Sequence, residues 1–227
     1  MKTSLKQNIN FAELWAVFKE TFITFPLFVL SHPFKAFDEL KTQKRGSIKF
    51  VIVSTALLIL AAMYNMGSMG FVATGFFAET PFVEPLALAV MTIAPMLLVC
   101  AANWSITSIT EGKGTFKEII QVYAYARYPS FFLGIAATAV SNVVTLNEVA
   151  FVGFLAAFAL LIFYGYMFVG LLIIHEYTFA RAVLMVVMTV VAMMVIVFIL
   201  ALTVSLIGEL FGFAFTLSDE IVRQLIL

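Results

Sequence analysis

The sequence predicts an all-α integral membrane protein: a helical bundle with five transmembrane helices behind an N-terminal interfacial and juxtamembrane helical segment. Three observations carry that prediction. Hydrophobic residues make up 63% of the 227 and the mean hydropathy is +1.08, whereas soluble domains carry roughly 45–50% apolar residues. Residues 182–207 contain no charge, and ~20 apolar residues suffice to cross a hydrocarbon core ~30 Å thick. The charges that remain are unevenly spread, with eight of the 13 Lys and Arg falling in residues 1–49.

Residues 1–47 read as a cytoplasmic preface of two helices. In 11–30, Phe11, Leu14, Trp15, Phe18, Phe22 and Phe25 fall on one helical face, with Glu13 and Glu20 opposite. As a span, its apolar residues would gain roughly 3–7 kcal/mol, and a central Lys19–Glu20 pair would cost about 5–7. Lying in the interface leaves the charges wet, so an amphipathic interfacial helix is the expected arrangement; the alternative, a crossing, would move the N-terminus to the other side. Residues 31–46 form the most polar stretch. Pro33 suits a first helical position, Ser31 or His32 can cap, and Gly46 can terminate. Phe34, Phe37 and Leu40 share a face expected to pack on lipid or bundle. Lys41, Lys44 and Arg45 gather at the C-terminal end, where the helix dipole and anionic headgroups both favour cations.

The membrane domain, 48–227, is expected to cross at 48–66, 86–108, 130–146, 149–174 and 182–207. Pro95 should kink the second span. The third is short, about 25 Å for its residues, and would need a turn borrowed from before Pro129. Thr145-Leu146-Asn147-Glu148 is a capping-box pattern opening the fourth. With five spans, the basic N-terminal segment, the 109–129 loop (Lys113, Lys117, Arg127) and the 175–181 turn (Arg181) share one side, leaving Arg223 alone on the other. The positive-inside rule then puts the N-terminus in the cytoplasm and the C-terminus outside.

Little in the sequence points to catalysis. Gly112-Lys113-Gly114-Thr115 lacks the spacing and strand of a phosphate-binding loop; Thr115-Phe116-Lys117-Glu118 reads instead as a capping box starting an amphipathic segment that Pro129 ends. His175-Glu176 has Phe179 where a zincin places its second His, so His175, Glu176 and Arg181 read as a polar turn between helices. No catalytic, metal or cofactor site is expected. Zero net charge gives no case for nucleic acid, and the lone Cys100 excludes an internal disulfide. Asn65, Asn103, Thr107, Ser141 and Asn142 remain as intramembrane polar groups, which bond across helices or line a pathway.

Several separated stretches, taken in order, resemble the Yip family of Ypt/Rab-interacting membrane proteins, bacterial branch. They are His32-Pro33-Phe34 with Phe37 and Leu40-Lys41; Lys44-Arg45-Gly46-Ser47; Asn103-Trp104; Gly112 to Lys117; Ala124-Tyr125-Ala126; Ser141 to Thr145 with Glu148; and His175-Glu176-Tyr177-Thr178. The resemblance implies five transmembrane helices with a cytoplasmic N-terminus. Eukaryotic members are associated with Rab GTPases and vesicle traffic, and bacterial relatives often lie beside sugar-uptake ABC transporter genes. The expected role is therefore a non-enzymatic scaffold or accessory subunit of a bacterial plasma membrane. Its partners would be the lipid bilayer and other membrane proteins, ABC importer subunits among them. Phe34, Phe37, Lys41, Lys44, Arg45, Lys113, Lys117, His175 and Arg181 are the candidate docking or headgroup contacts. The alternative is a small-solute permease or channel subunit, with Asn103, Thr107 and Asn142 along its route.

Overall fold

A computed structural model describes residues 11–76 and 84–226, and among these every regular element is helical. In chain order they are α1 (Phe11–Lys19), a π-helical turn (Glu20–Thr24), α2 (Phe25–Ser31), α3 (Pro33–Thr42), α4 (Ile48–Ser68), α5 (Phe71–Phe76), α6 (Pro85–Ile109), α7 (Phe116–Ser141), α8 (Ala150–Ile174) and α9 (Phe179–Ile226). Five stretches are long and apolar enough to cross a membrane by length and composition: Ala12–Ser31, Ile48–Ser68, Pro85–Ile109, Ala150–Ile174 and Phe179–Ser218. The protein is an integral membrane helical bundle.

Two segments differ in extent from the sequence expectation, Ala12–Ser31 and α7. Ala12–Ser31 forms one nearly continuous helix with a π-turn where Pro26 would otherwise meet the carbonyl four residues back; the Phe25 N–H bonds to the Glu20 carbonyl, five residues back. Phe18 and Phe22 line a shallow groove with Phe50, Val53, Leu57 and Tyr128, so this segment follows α4 rather than merely covering its end. The segment expected to span at 130–146 falls mostly within α7, which takes in the turns before Pro129, runs unbroken from Phe116 and stops at Ser141. Its first turns carry Lys117 and Glu118, and Arg127 lies midway, so α7 is the least apolar of the long helices. Residues 142–149 form turns, and Glu148 accepts hydrogen bonds from the Thr145 N–H (3.1 Å) and hydroxyl (3.0 Å) one turn ahead of the α8 start at Ala150.

The core sits at one end of the bundle. Ile119, Val122, Tyr123, Ala124, Tyr125 and Ala126 are all buried, making the N-terminal half of α7 an axis surrounded by α2, α3, α4, α6 and α8. Tyr125 stacks on Phe50 (centroids 4.2 Å apart) and meets Phe25 edge-on at 5.1 Å. α7 runs parallel to α4 and antiparallel to α8, and α6 runs antiparallel to α9. Close packing of α7 on α8 requires Gly170: a Cβ there would lie 2.3 Å from Val122 Cγ1. Cys100 is fully buried on α6 within this core.

Candidate functional site

The buried polar groups collect at the core end. α6 and α8 finish there with the same C-terminal motif. The Gly112 N–H bonds to Thr107 O (2.8 Å) and the Tyr177 N–H to Leu172 O (3.0 Å), with Glu111 (φ 58°) and Glu176 (φ 56°) in the left-handed position between. That position normally takes glycine, and a residue with a Cβ costs about 1–2 kcal/mol there. Lys44, just after α3, adopts the same conformation (φ 56°). It is Lys44, not Gly46, that turns the chain out of α3, and His32 rather than Ser31 occupies the position before Pro33, without a side-chain cap bond.

His175, 2% exposed, ties the two helix ends together. Gly114 N–H donates to His175 Nδ1 (3.1 Å), which makes Nδ1 the acceptor and leaves the ring proton on Nε2. Nε2–H then donates to Asn103 Oδ1 (3.1 Å), and Asn103 Nδ2 donates to Thr189 Oγ1 (3.1 Å) on α9. Thr107 donates to the Asn103 carbonyl (2.8 Å). Burial, aided by the Lys41 charge and opposed by Glu118, lowers the His175 pKa to about 4, so the imidazole is neutral near pH 7. The Gly-Lys-Gly loop must lie flat on this ring: a Cβ on Gly114 would meet His175 Cε1 at 2.7 Å, and one on Gly112 would meet Tyr177 Oη at 2.5 Å. Tyr177 stacks on His175, and the Arg181 guanidinium sits 4.9 Å over the Tyr177 ring while donating to Thr110 O.

Ion pairs close the outside of this network. Glu176 lies between Lys113 and Lys41, on the α6–α7 loop and α3. These two hydrogen-bonded ammonium groups hold its carboxyl well below the usual carboxylate range. Arg45 bridges Glu20 and Glu39 and lies 5.0 Å over the Phe25 ring. Residues 44–47 are laid along one stripe of α7. Lys44 pairs with Glu118 (3.5 Å), Gly46 abuts Gln121, and the Ser47 N–H donates to Tyr125 Oη (3.4 Å). Glu118, Gln121 and Tyr125 stand at i, i+3 and i+7, one helical face. Glu118 also completes the capping box with Thr115 in both directions. Burial works against its charge, but the Thr115 N–H and hydroxyl and then Lys44 hold its pKa below the ordinary value.

The three stretches singled out in the sequence, 31–46, 110–128 and 175–181, therefore meet at one end. Lys41, Lys44, Arg45, Lys113, His175 and Arg181 belong to one network, whereas Lys117 is exposed on its edge. Lys41 and Arg45 face protein carboxylates, so the basic end of α3 is held to the bundle by ion pairs. Phe37 is buried against α8, but Phe34 is 63% exposed and points away from the bundle, one residue step short of the packed face. Asn142 lies at the opposite end, donating to Ser68 O (2.8 Å) and Thr138 O (2.8 Å). Thr138 there bonds Asn65 (2.7 Å), and the Gly70 N–H donates to Ser141 Oγ (2.9 Å). Asn103 and Thr107 are thus separated from Asn142 by the length of α7; Asn103 and Asn142 are occupied by bonds between elements, and the Thr107 hydroxyl by carbonyls of its own helix.

Sequence reasoning did not single out Thr189 or Gln121, and it named Tyr125 only within the Ala124-Tyr125-Ala126 stretch. The Glu118-Gln121-Tyr125 periodicity was a visible signal; the Thr189 partner, 86 residues from Asn103, left none. Both His175 nitrogens are committed, and no group of three or more metal-ligating side chains occurs among the described residues. A groove of about 450 Å³ opens between α6, α8 and α9. Its walls are apolar (Val99, Met167, Val186, Met193 among them), and its one network residue, Thr189, is already bonded to Asn103.

These features define a class: an integral membrane helical protein whose spans converge on a polar end, knit by buried hydrogen bonds and ion pairs. The Yip1 domain family matches residues 27–201, well over half of the chain, and the protein belongs to that family. No curated protein and no solved structure matches it.

Proposed function

We propose that the protein is a non-enzymatic scaffold or accessory subunit that binds other membrane proteins through its polar end, and that this end is the cytoplasmic face of a bacterial plasma membrane. One observation carries the reading. Most of the polar groups at that end are spent on one another, with only Gln121 Nε2, Arg127 Nε and Tyr177 Oη buried without a partner among the described residues, which yields a rigid platform rather than a reactive cleft, while Lys44 (77% exposed), Lys113 (64%), Lys117 and Phe34 project from it. A fixed surface with a few exposed cations and one aromatic side chain is the anatomy of a docking site. Permease subunits of an ABC importer fit as partners in that cytoplasmic loops of such subunits are accessible from the same side.

The test is photo-crosslinking in the native host, with the crosslinking residue at position 34, 113 or 117 and, as a control, at position 142. The expected result is one recurrent membrane-protein adduct from the first three positions and none from the fourth. Adducts of equal yield at all four positions, or only lipid adducts, would refute the reading.

A further inference from the structure

We infer that the C-terminal part of α9, residues 208–226, is a lipid-surface helix: in a bilayer it lies along the interface at the α6 N-terminal side and does not continue the span outward. α9 is 48 residues long, about 72 Å at 1.5 Å per residue. Its position along the bundle is fixed by α6. Thr189 is bonded to Asn103 and Arg181 to Thr110, so the antiparallel pair is in register. Counting equally from that pair, α9 comes level with Pro85, the start of α6, at about Ile207. Residues 208–226 then run ~28 Å past the end of the bundle.

Tilting does not absorb this excess. The apolar stretch Phe179–Ser218 alone covers 40 residues, about 60 Å. At the upper end of observed helix tilts, ~40°, it would still rise ~46 Å against a core of ~30 Å. Nor is the extension suited to water. Leu210, Phe211, Phe213, Phe215, Leu217 and Ile221 are all about half exposed or more. They continue, without a break, the exposed apolar surface of the preceding span, which contacts lipid. Unlike the span, the extension is two-sided. Glu209, Thr216, Glu220 and Arg223 gather in a wedge, and Phe211, Ala214, Phe215 and Ile221 lie across the helix from it, the pattern of a helix half sunk in the interface. Gly208 and Gly212 supply the bend. A Cβ on either would meet no other atom within 4 Å, so nothing in the bundle braces the helix at the point where it leaves the membrane.

The experiment is spin labelling of the full chain in phosphatidylcholine/phosphatidylglycerol vesicles. Cys100 is fully buried, so nitroxide goes to single cysteines introduced at Phe211, Ala214 and Ile221 on the apolar side, and at Glu209, Thr216 and Glu220 on the polar wedge. A label at Val204, inside the span, is the reference. The expected result is high oxygen accessibility at 211, 214 and 221, at one shared depth ~5–10 Å below the phosphates, with high nickel-chelate accessibility at 209, 216 and 220. Nickel access at all six positions would overturn the inference in favour of a rod in water. A depth changing steadily by residue would overturn it in favour of a straight continuation. Loss of the oxygen pattern on dilution with empty lipid would overturn it in favour of contact with a second copy.

Discussion

Asn103 and His175, 72 residues apart in sequence, share a buried hydrogen bond of 3.1 Å in which the imidazole donates from Nε2. Because the other ring nitrogen accepts from the Gly114 backbone, this pair joins the end of α6, the end of α8 and the loop leading into α7. Removing either side chain leaves its partner buried and unsatisfied. Asn103→Ala is expected to lower stability in detergent by about 1–3 kcal/mol. A double-mutant cycle with Thr189→Val should show coupling, since Asn103 Nδ2 bonds that hydroxyl. Additive losses would mean the bridge does not act as a unit.

The same imidazole sets a pH dependence. Burial lowers its pKa from 6.5 to about 4, so between those values the unfolded chain binds a proton that the folded protein does not. The stabilisation is complete above pH 6.5 and declines as pH falls towards 4, by about 3 kcal/mol in all. Thermal unfolding in micelles, scanned from pH 7 to 4, should show this loss in the wild type and a flatter profile in His175→Gln. Identical profiles would assign the acid sensitivity elsewhere.

Two glycines five residues apart on α8 should respond in opposite directions. A Cβ on Gly165 meets nothing within 4 Å, whereas one on Gly170 runs into Val122. Gly165→Ala is expected to be neutral or to stabilise by up to about 1 kcal/mol through helix propensity. Gly170→Ala should destabilise by about 1–3 kcal/mol through overpacking. The comparison needs only two melting curves, and equal shifts would contradict the α7–α8 contact.

Glu176 is the hub that holds α3 to the rest of the polar end. Glu176→Lys places a cation among Lys41 and Lys113 and should free α3 without touching the spans. Limited proteolysis after Lys41, Lys44 or Arg45 is expected to accelerate several-fold, while the unfolding midpoint moves little, because exposed ion pairs contribute about 0–1 kcal/mol each. Unchanged cleavage would show that Phe37, Leu40 and the Lys44 and Arg45 ion pairs anchor the helix without Glu176.

Much of this architecture was legible from the sequence, and the misses have physical causes. Runs such as 48–66 and 149–174 are insertion-competent by themselves, so hydropathy located them to within a few residues. The box Thr115–Glu118 announced the start of α7 because its two bonds are local. Pro129 misled, since proline removes one N–H and crowds the Tyr125 carbonyl. Here Tyr125 is clamped by Phe25, Phe50 and the Ser47 N–H, and that packing carries the helix through. Gly46 misled for a related reason: it serves close approach to Gln121 and Leu40, not a left-handed turn. Pairings such as Lys41 with Glu176, 135 residues apart, depend on how helices assemble, and a single sequence holds no signal for them. Phe34 and Phe37 are three apart, yet only Phe37 is buried, because the packed face of α3 centres on Ala36, Phe37 and Leu40 and Phe34 sits about 100° round the helix from it.

α7 is at once the most enclosed of the long helices and the least apolar of them. Its N-terminal half carries Lys117, Glu118, Gln121 and Arg127; Glu118 pairs with Lys44 before it, Gly46 abuts Gln121, and after it on α8 Phe163 faces the Arg127 guanidinium at 5.4 Å. Emerging from the ribosome, α7 therefore meets a lipid phase that does not welcome it and neighbours that are only half made. Its placement must wait for α8, which makes α7 and α8 a hairpin delivered together during synthesis. A chain stopped before Ala150 should leave α7 at the membrane surface, open to the insertion machinery and to proteases, for as long as its second half is withheld.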